Sequence, residues 1–432
     1  MGVITTVQEA IDFVHNAYQF GSKLGLENMQ LLLSKMGNPH LRLKFIHVAG
    51  TNGKGSTCAI MSQALIEAGY KVGTYVSPYL EFFNERIQVN RLSIDDHSLV
   101  AHAEIVRAAI QSMLEEGAPH PTEFEIVTAI GFSYFSRELV DLVVLEVGLG
   151  GRLDATNVIQ QPLAAVITPV DYDHMQYLGN TLSEIASEKA GIIKGGLVIC
   201  AKQQEEAIQS VMLKAKETNS RLVWSDHTRA TGLELNATQT QFVYRNLAFE
   251  LHMLGAYQVQ NACTAIDTLL ALRDENLLQI GDDALVKGVK RALWAGRFEQ
   301  IHENPRVFID GAHNLHGVEA FKQAIDTYHA DLEKIAVFGM LRDKEVKDVL
   351  GLIAHSFKAI YTVVPDNPRA LSHDELDEVL GQVNYRGKIA KLERISDIKS
   401  VIANYQGSEA IIYCFGSLYY IGEVRRLLYR HE

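Results

Sequence analysis

Short apolar runs of strand length alternate with longer amphipathic stretches along most of this chain. Residues 44–49, 72–76, 141–147, 163–168 and 197–201 read as buried strands, each a nearly unbroken run of apolar side chains. The stretches 56–68, 123–137 and 181–193 read as helices, and Gly69 follows the first as a helix-ending glycine should. Such alternation predicts a largely parallel sheet covered by helices. A second series starts near residue 300: 306–309, 334–338, 359–364 and 410–415 are strand-like, with helical patterns between them. This predicts a smaller α/β unit, joined to the first near residues 294–299. Between 221 and 252 the pattern changes to alternating apolar and polar residues, which predicts antiparallel strands inserted before the join. No internal repeat or low-complexity tract interrupts this plan.

Composition narrows the class. At roughly 100–200 residues per domain, 432 residues imply two or three domains, and 47% hydrophobic content supplies their cores. Forty Lys and Arg against 52 Asp and Glu give a net charge of −12. With no long basic run, a chain-wide nucleic-acid surface is not expected, and any anion must be bound locally. The cysteines Cys58, Cys200, Cys263 and Cys414 are too scattered for a zinc knuckle or redox pair, and a reduced cytoplasmic setting fits them. The first 15 residues lack the basic-then-apolar order of a signal peptide, and no uncharged apolar stretch reaches membrane-spanning length. No membrane association is expected.

The sharpest local chemistry is Gly50-Thr51-Asn52-Gly53-Lys54-Gly55-Ser56, between an apolar strand and a helix. Phosphate binding needs that context. Glycines let backbone N–H groups close around phosphate oxygens, and the helix N-terminus adds the positive end of its dipole. Lys54 would supply a point charge, and Ser56 or Thr57 a hydroxyl near Mg²⁺. The spacing departs from G-x-x-x-x-G-K-[ST]: the first glycine stands three residues before Gly53, and Gly55 separates Lys54 from Ser56. It resembles the variant loop of the Mur ligases and folylpolyglutamate synthases.

Further blocks carry that resemblance. Ser77-Pro78-Tyr79 is followed by Asn84-Glu85-Arg86-Ile87. Residues 146–157 read Glu-Val-Gly-Leu-Gly-Gly-Arg-Leu-Asp-Ala-Thr-Asn, and then come Asp171-Tyr172-Asp173-His174, Glu188-Lys189-Ala190-Gly191 and Asp310-Gly311-Ala312-His313-Asn314. Together they span about residues 45–420 in family order. The chain is similar to bacterial folylpolyglutamate synthases, including the bifunctional form that is also a dihydrofolate synthase. The resemblance implies an α/β fold. A P-loop-containing Mur-ligase-like ATPase domain (residues 1–296) would be followed by a smaller Rossmann-like C-terminal glutamate-ligase domain (residues 297–432). It implies ATP-dependent ligation of L-glutamate to the carboxylate of tetrahydrofolate or its derivatives, or to dihydropteroate, through an acyl phosphate. The expected enzyme is a monomer.

The resemblance also implies site residues. Gly50, Thr51, Asn52, Gly53, Lys54, Gly55, Ser56, Thr57, Asn261, Arg297, Asp310 and His313 would bind the nucleotide. Ser77, Glu125 and His174 would hold Mg²⁺, with Glu123 the rival to Glu125. Lys54, His174 and Lys189 would act in catalysis, and Lys189 would be carbamylated to support a second Mg²⁺. By ordinary rules Glu125 is as well explained as a helix-start acid, His174 as a surface histidine and Lys189 as a solvated charge. Three positions depart from the family pattern: Tyr257 stands where histidine is usual, and Ala295 and Leu315 where proline is common. Asp343 and Lys344 are candidate glutamate contacts, and Phe82, Phe83 and residues 26–36 candidate pterin contacts. Two other classes share the loop. A Mur ligase would carry an additional N-terminal substrate domain, for which about 50 residues leave no room. A nucleotide-binding regulator would not need the other blocks.

Overall fold

A computed structural model describes residues 2–20 and 25–429. The chain forms two compact units, residues 1–232, 242–250 and 259–293, and residues 233–241, 251–258 and 294–432. In the first unit the strands are β1 (Phe45–Ala49), β2 (Val72–Tyr75), β3 (Ile87–Val89), β4 (Leu92–Ser93), β5 (Leu142–Glu146), β6 (Ala164–Ile167), β7 (Leu197–Ala201) and β8 (Arg221–Ser225). They make one sheet in the order β4-β3-β2-β5-β1-β6-β7-β8. From β2 to β8 every neighbouring pair is parallel, while β3 and β4 extend the edge antiparallel. Every residue of β1, β5, β6 and β7 is buried, as a parallel sheet covered on both faces demands.

Local signals set the flanking helices. Thr122 and Thr181 each open a helix with a reciprocal capping box, to Glu125 and Glu184 respectively. The helix Lys54–Glu67 is buried along most of its length. Gly288, on the helix Asp282–Arg291, lies against it so closely that a Cβ there would meet Ala64 Cα at 2.2 Å. Leu32, Leu33, Val106, Phe132 and Phe135 share one core, and Ile167, Ile185, Ile192 and Val198 share another.

The expectation of antiparallel strands over 221–252 is corrected in its first part. Residues 221–225 are β8, which runs parallel to β7 at the sheet edge. At the sheet edge most of its residues are exposed or half-buried, so it lacks the unbroken apolar run of the inner parallel strands. The rest, β9 (Thr231–Leu235), β10 (Thr240–Tyr244) and β11 (Leu247–Leu251), forms a separate three-stranded sheet in the order β11-β10-β9. Arg245 and Asn246, both at positive φ, make the two-residue hairpin turn between β10 and β11.

The second unit holds β12 (Glu299–Glu303), β13 (Arg306–Asp310), β14 (Lys334–Phe338), β15 (Ala359–Val363), β16 (Lys388–Leu392) and β17 (Ile411–Phe415). Their order is β12-β13-β17-β14-β15-β16, parallel except for β12. Phe308, Phe321, Phe338, Tyr413 and Phe415 fill its core. Among the described residues no helix is long and apolar enough to cross a membrane. All four cysteines are free and buried.

Candidate active site

The glycine-rich loop leaves the C-terminal end of β1 and runs into the helix Lys54–Glu67. Two glycines are fixed by space as well as by backbone. Gly50 has φ +155°, and a Cβ there would lie 1.8 Å from Thr168 Oγ1. Gly53, at φ +84°, packs under Asn261, whose Oδ1 would be 2.2 Å from an added Cβ. Asn261 is thereby brought to the loop, across more than 200 residues of sequence. The neighbouring strand end ties the loop down: Thr51 N donates to Pro169 O (2.9 Å), and Thr168 Oγ1 donates to Asn52 O (2.8 Å). Thr51 Oγ1 donates to Asp171 O and accepts from Asp171 N, each at 2.9 Å, which clasps the segment 171–174 to the loop. Gly53→Ala is therefore expected to reduce nucleotide affinity at least tenfold while the fold survives, measured by nucleotide titration alongside thermal melting.

Two lysines meet at the loop. Lys54 Nζ donates to Gly50 O at 3.1 Å and to Thr51 O at 3.3 Å. Lys189, buried near the end of the helix Leu182–Ala190, also donates from Nζ to Gly50 O at 3.1 Å. Burial, with Lys54 as a second positive charge, pushes the Lys189 ammonium down to about 7, against a smaller opposing pull from Asp173. Lys189 is thus no solvated charge. Gly53 caps the helix, Lys54 and Gly55 begin it, and Ser56 and Thr57 are buried in its first turn. Thr57 Oγ1 has no hydrogen-bond partner.

Ser77 follows β2 and is half-buried. The carboxylate beside it is Glu146, at the end of β5, whose Oε2 accepts from Ser77 N at 3.3 Å. Glu146 is 4% exposed and pairs in register with Val48 of β1, just ahead of the loop. Glu125 is spent differently: its Oε2 accepts from Thr122 N (2.8 Å) and Thr122 Oγ1 (2.9 Å), closing a helix cap. Glu123 faces Arg86 at 3.9 Å. Sequence reading weighed Glu125 and Glu123 and passed over Glu146 as a site residue. The signal available was its place as the last residue of a buried strand, where open α/β sheets put ligand groups. His174 begins the short helix Met175–Leu178 in the left-handed conformation, φ 53°, with Nε2 3.9 Å from Asp173 Oδ1.

The second unit carries its own cluster at the end of β13. Asp310 is buried, and its two oxygens accept from Phe298 N and Ala312 N, both at 2.7 Å. Burial raises its carboxyl, while Arg297 and the Tyr257 hydroxyl act in the opposite direction. Tyr257, in the place of the family's usual histidine, thus hydrogen-bonds to Asp310. Arg297 packs over Gly311, so that a Cβ there would fall 1.8 Å from Arg297 Nη1 and displace the guanidinium. His313 Nδ1 is 2.7 Å from Gly311 O. Asp343 is engaged by Arg369 at 3.1 Å. Of the pterin candidates, Phe83, Met29, Leu32 and Leu33 belong to the core, and Phe82 is exposed.

A Gly-Lys loop, two lysines on one carbonyl and a second α/β unit with a buried Asp310 in the field of Arg297 suit an ATP-dependent ligase of the Mur type. Residues 48–269 match the Mur ligase middle domain family, and 296–418 the Mur ligase glutamate ligase domain. The chain is 36% identical to the dihydrofolate synthase/folylpolyglutamate synthase of Bacillus subtilis, over 99% of this chain and 100% of that one. The solved folylpolyglutamate synthase of Thermotoga maritima superposes with a TM-score of 0.84 at 33% identity, covering 98% of this chain and 97% of that one. The Mycobacterium tuberculosis folylpolyglutamate synthase, solved with ADP and AMPPCP, gives 0.87 at 26% identity, covering 98% and 99%. The chain belongs to the folylpolyglutamate synthase family of the Mur ligases.

Proposed function

We propose that this enzyme joins L-glutamate to the carboxylate of folates at the expense of ATP, and that it also accepts dihydropteroate. The observation that carries the reading is the meeting of Lys54 and Lys189 on the carbonyl of Gly50, inside a glycine loop that opens a helix. Freed from that carbonyl, the Lys54 ammonium can turn to a phosphate. The loop N–H groups and the Lys54 helix hold the ATP phosphates. A folate carboxylate oxygen attacks the γ-phosphorus, giving an acyl phosphate and ADP. The neutral amine of glutamate then attacks the carbonyl carbon, phosphate leaves, and the amine loses a proton. Asn261, Arg297, Asp310 and His313 serve the nucleotide. The functional division falls at 296/297, and the working form is a cytoplasmic monomer.

The residues suit Mg²⁺. It prefers hard oxygen donors and few protein carboxylates, and a buried carboxylate beside a serine, with an unpartnered Thr57 hydroxyl in the loop helix, is such a donor set. Ser77, Glu146 and His174 would hold the ion, with Glu125 bracing the helix start. Bound Mg²⁺ neutralises phosphate charge. Glu146→Gln is expected to lower kcat about a hundredfold and raise the Mg²⁺ requirement, and Glu125→Gln to lower melting temperature first. Equal loss of turnover with unchanged melting in both variants would count against that assignment.

Lys189 suits carbamylation, because an amine titrating at about 7 is substantially neutral at physiological pH. Its nitrogen would add to CO₂, forming the N–C bond and releasing one proton. The defining experiment is phosphate release with Mg-ATP and L-glutamate, offering tetrahydrofolate and dihydropteroate separately. Turnover with both fits the bifunctional form, and with tetrahydrofolate alone a dedicated polyglutamate synthase. Folded protein that binds ATP but turns over neither would overturn the reading.

A further inference from the structure

The family-type block at 146–157 contributes more than Glu146, and its second half has no role in the reading so far. That half lies along the end of the Leu182–Ala190 helix. The last carbonyls of a helix lack intrahelical partners and need donors from elsewhere. Arg152 N donates to Glu188 O at 2.8 Å. Asn157 Nδ2 donates to Gly191 O at 3.1 Å and, within its own loop, to Arg152 O at 3.0 Å. The exposed Arg152 guanidinium adds a pair to Glu188 at 2.8 Å. Lys194 closes the far side, donating to Asn157 O and to Ile159 O at 2.6 Å.

The approach is as close as backbone permits. A Cβ on Gly151 would lie 2.8 Å from Glu188 O and 2.9 Å from Lys189 O. One on Gly191 would lie 2.3 Å from Arg152 Cβ. Neither neighbour is the end of a flexible side chain, so an added methyl group must move the helix. The loop is fixed in its turn from beneath. Asp154 accepts from Leu149 N and from Thr156, and Thr156 Oγ1 meets the buried His47 Nε2 of β1 at 2.9 Å. The chain of contacts therefore starts on the strand that carries the phosphate loop and returns to it through Lys189 Nζ and Gly50 O.

We propose that Gly151, the backbone N–H of residue 152 and Asn157 position Lys189: they set the seat of its helix, and so the reach of its Nζ to the phosphate loop. The catalytic half of this inference rests on the role given to Lys189 above. The test uses Gly151→Ala and Asn157→Ala, with Arg152→Gln as a variant that keeps the backbone N–H. Acylation of Lys189 by an amine-reactive ester at fixed pH, read by peptide mass spectrometry, reports its seat without reference to activity. Gly151→Ala and Asn157→Ala are expected to acylate Lys189 about tenfold faster as the helix end opens. They are also expected to lower kcat about a hundredfold with the ATP KM within about twofold. Arg152→Gln should behave as the parent in both assays. Parent-like acylation in folded Gly151→Ala and Asn157→Ala overturns the proposal, and if Gly151→Ala does not fold, Asn157→Ala alone decides. Full activity in Lys189→Ala would instead remove the catalytic role of Lys189, leaving the acylation result to judge the seat.

Discussion

Lys54→Met is expected to cut kcat for glutamate-dependent phosphate release by about a thousandfold, the upper end of what one preorganised donor contributes. Methionine keeps the length of the side chain and much of its packing, so the loss isolates the charge. The ammonium is held by two loop carbonyls, Gly50 O and Thr51 O, and needs little rearrangement to reach a phosphate. That preorganisation is why the loss should fall on the chemical step more than on ground-state binding, with ATP affinity dropping about tenfold. Lys189 lies on the same carbonyl, and removing the Lys54 charge takes away one of the two causes that lower its ammonium while burial remains. Single-turnover measurement of acyl phosphate formation separates the two effects. Near-parental turnover in Lys54→Met would remove Lys54 from the phosphate site.

The second large effect is loss of stability in acid. Burial pushes His47 down from 6.5 to about 3, and His40, His102 and His329 each to about 4. Between pH 6.5 and those values the unfolded chain binds protons that the folded chain does not. Stability is therefore full above pH 6.5 and falls as the pH drops through that window. For the fully buried His47 the contribution lost is on the order of 5 kcal/mol, at about 1.4 kcal/mol for each tenfold. Buried Asp154 and Asp310, whose carboxyls are raised, act in the opposite direction, so the histidine share must be read from a difference. His47→Gln should show a shallower fall in melting temperature than the parent from pH 6.5 to 4. Parallel melting curves would show that His47 does not titrate in this window.

What could be read from the sequence followed from how local each signal is. The strand 45–49, the glycine loop and the helix after it are adjacent in sequence, and both fold and chemistry were readable there. Capping boxes are equally local, and Thr122 with Glu125 is one. That same locality drew attention to Glu125 as a ligand, while the carboxylate beside Ser77 is Glu146, which reaches it through strand pairing 69 residues away. No periodicity reports such a neighbour. Lys189 shows the same limit: its spacing gives a helix, but only the packing of that helix against the loop turns a surface-type residue into a buried one. The strand at 221–225 was misread in direction because at the sheet edge it is mostly exposed or half-buried and lacks the continuous apolar run that marks the inner parallel strands.

The four buried cysteines have a practical use. Their thiols are pushed up by burial, Cys200 to about 12 and Cys58, Cys263 and Cys414 also above their ordinary value. Maleimide dyes attack thiolates, so the folded protein presents them with no reactive handle. A cysteine introduced on each of the two units would then be the only labelled positions, with no native thiol to remove first. Fluorescence energy transfer between such a pair would then carry no background from native thiols, in an otherwise unaltered chain.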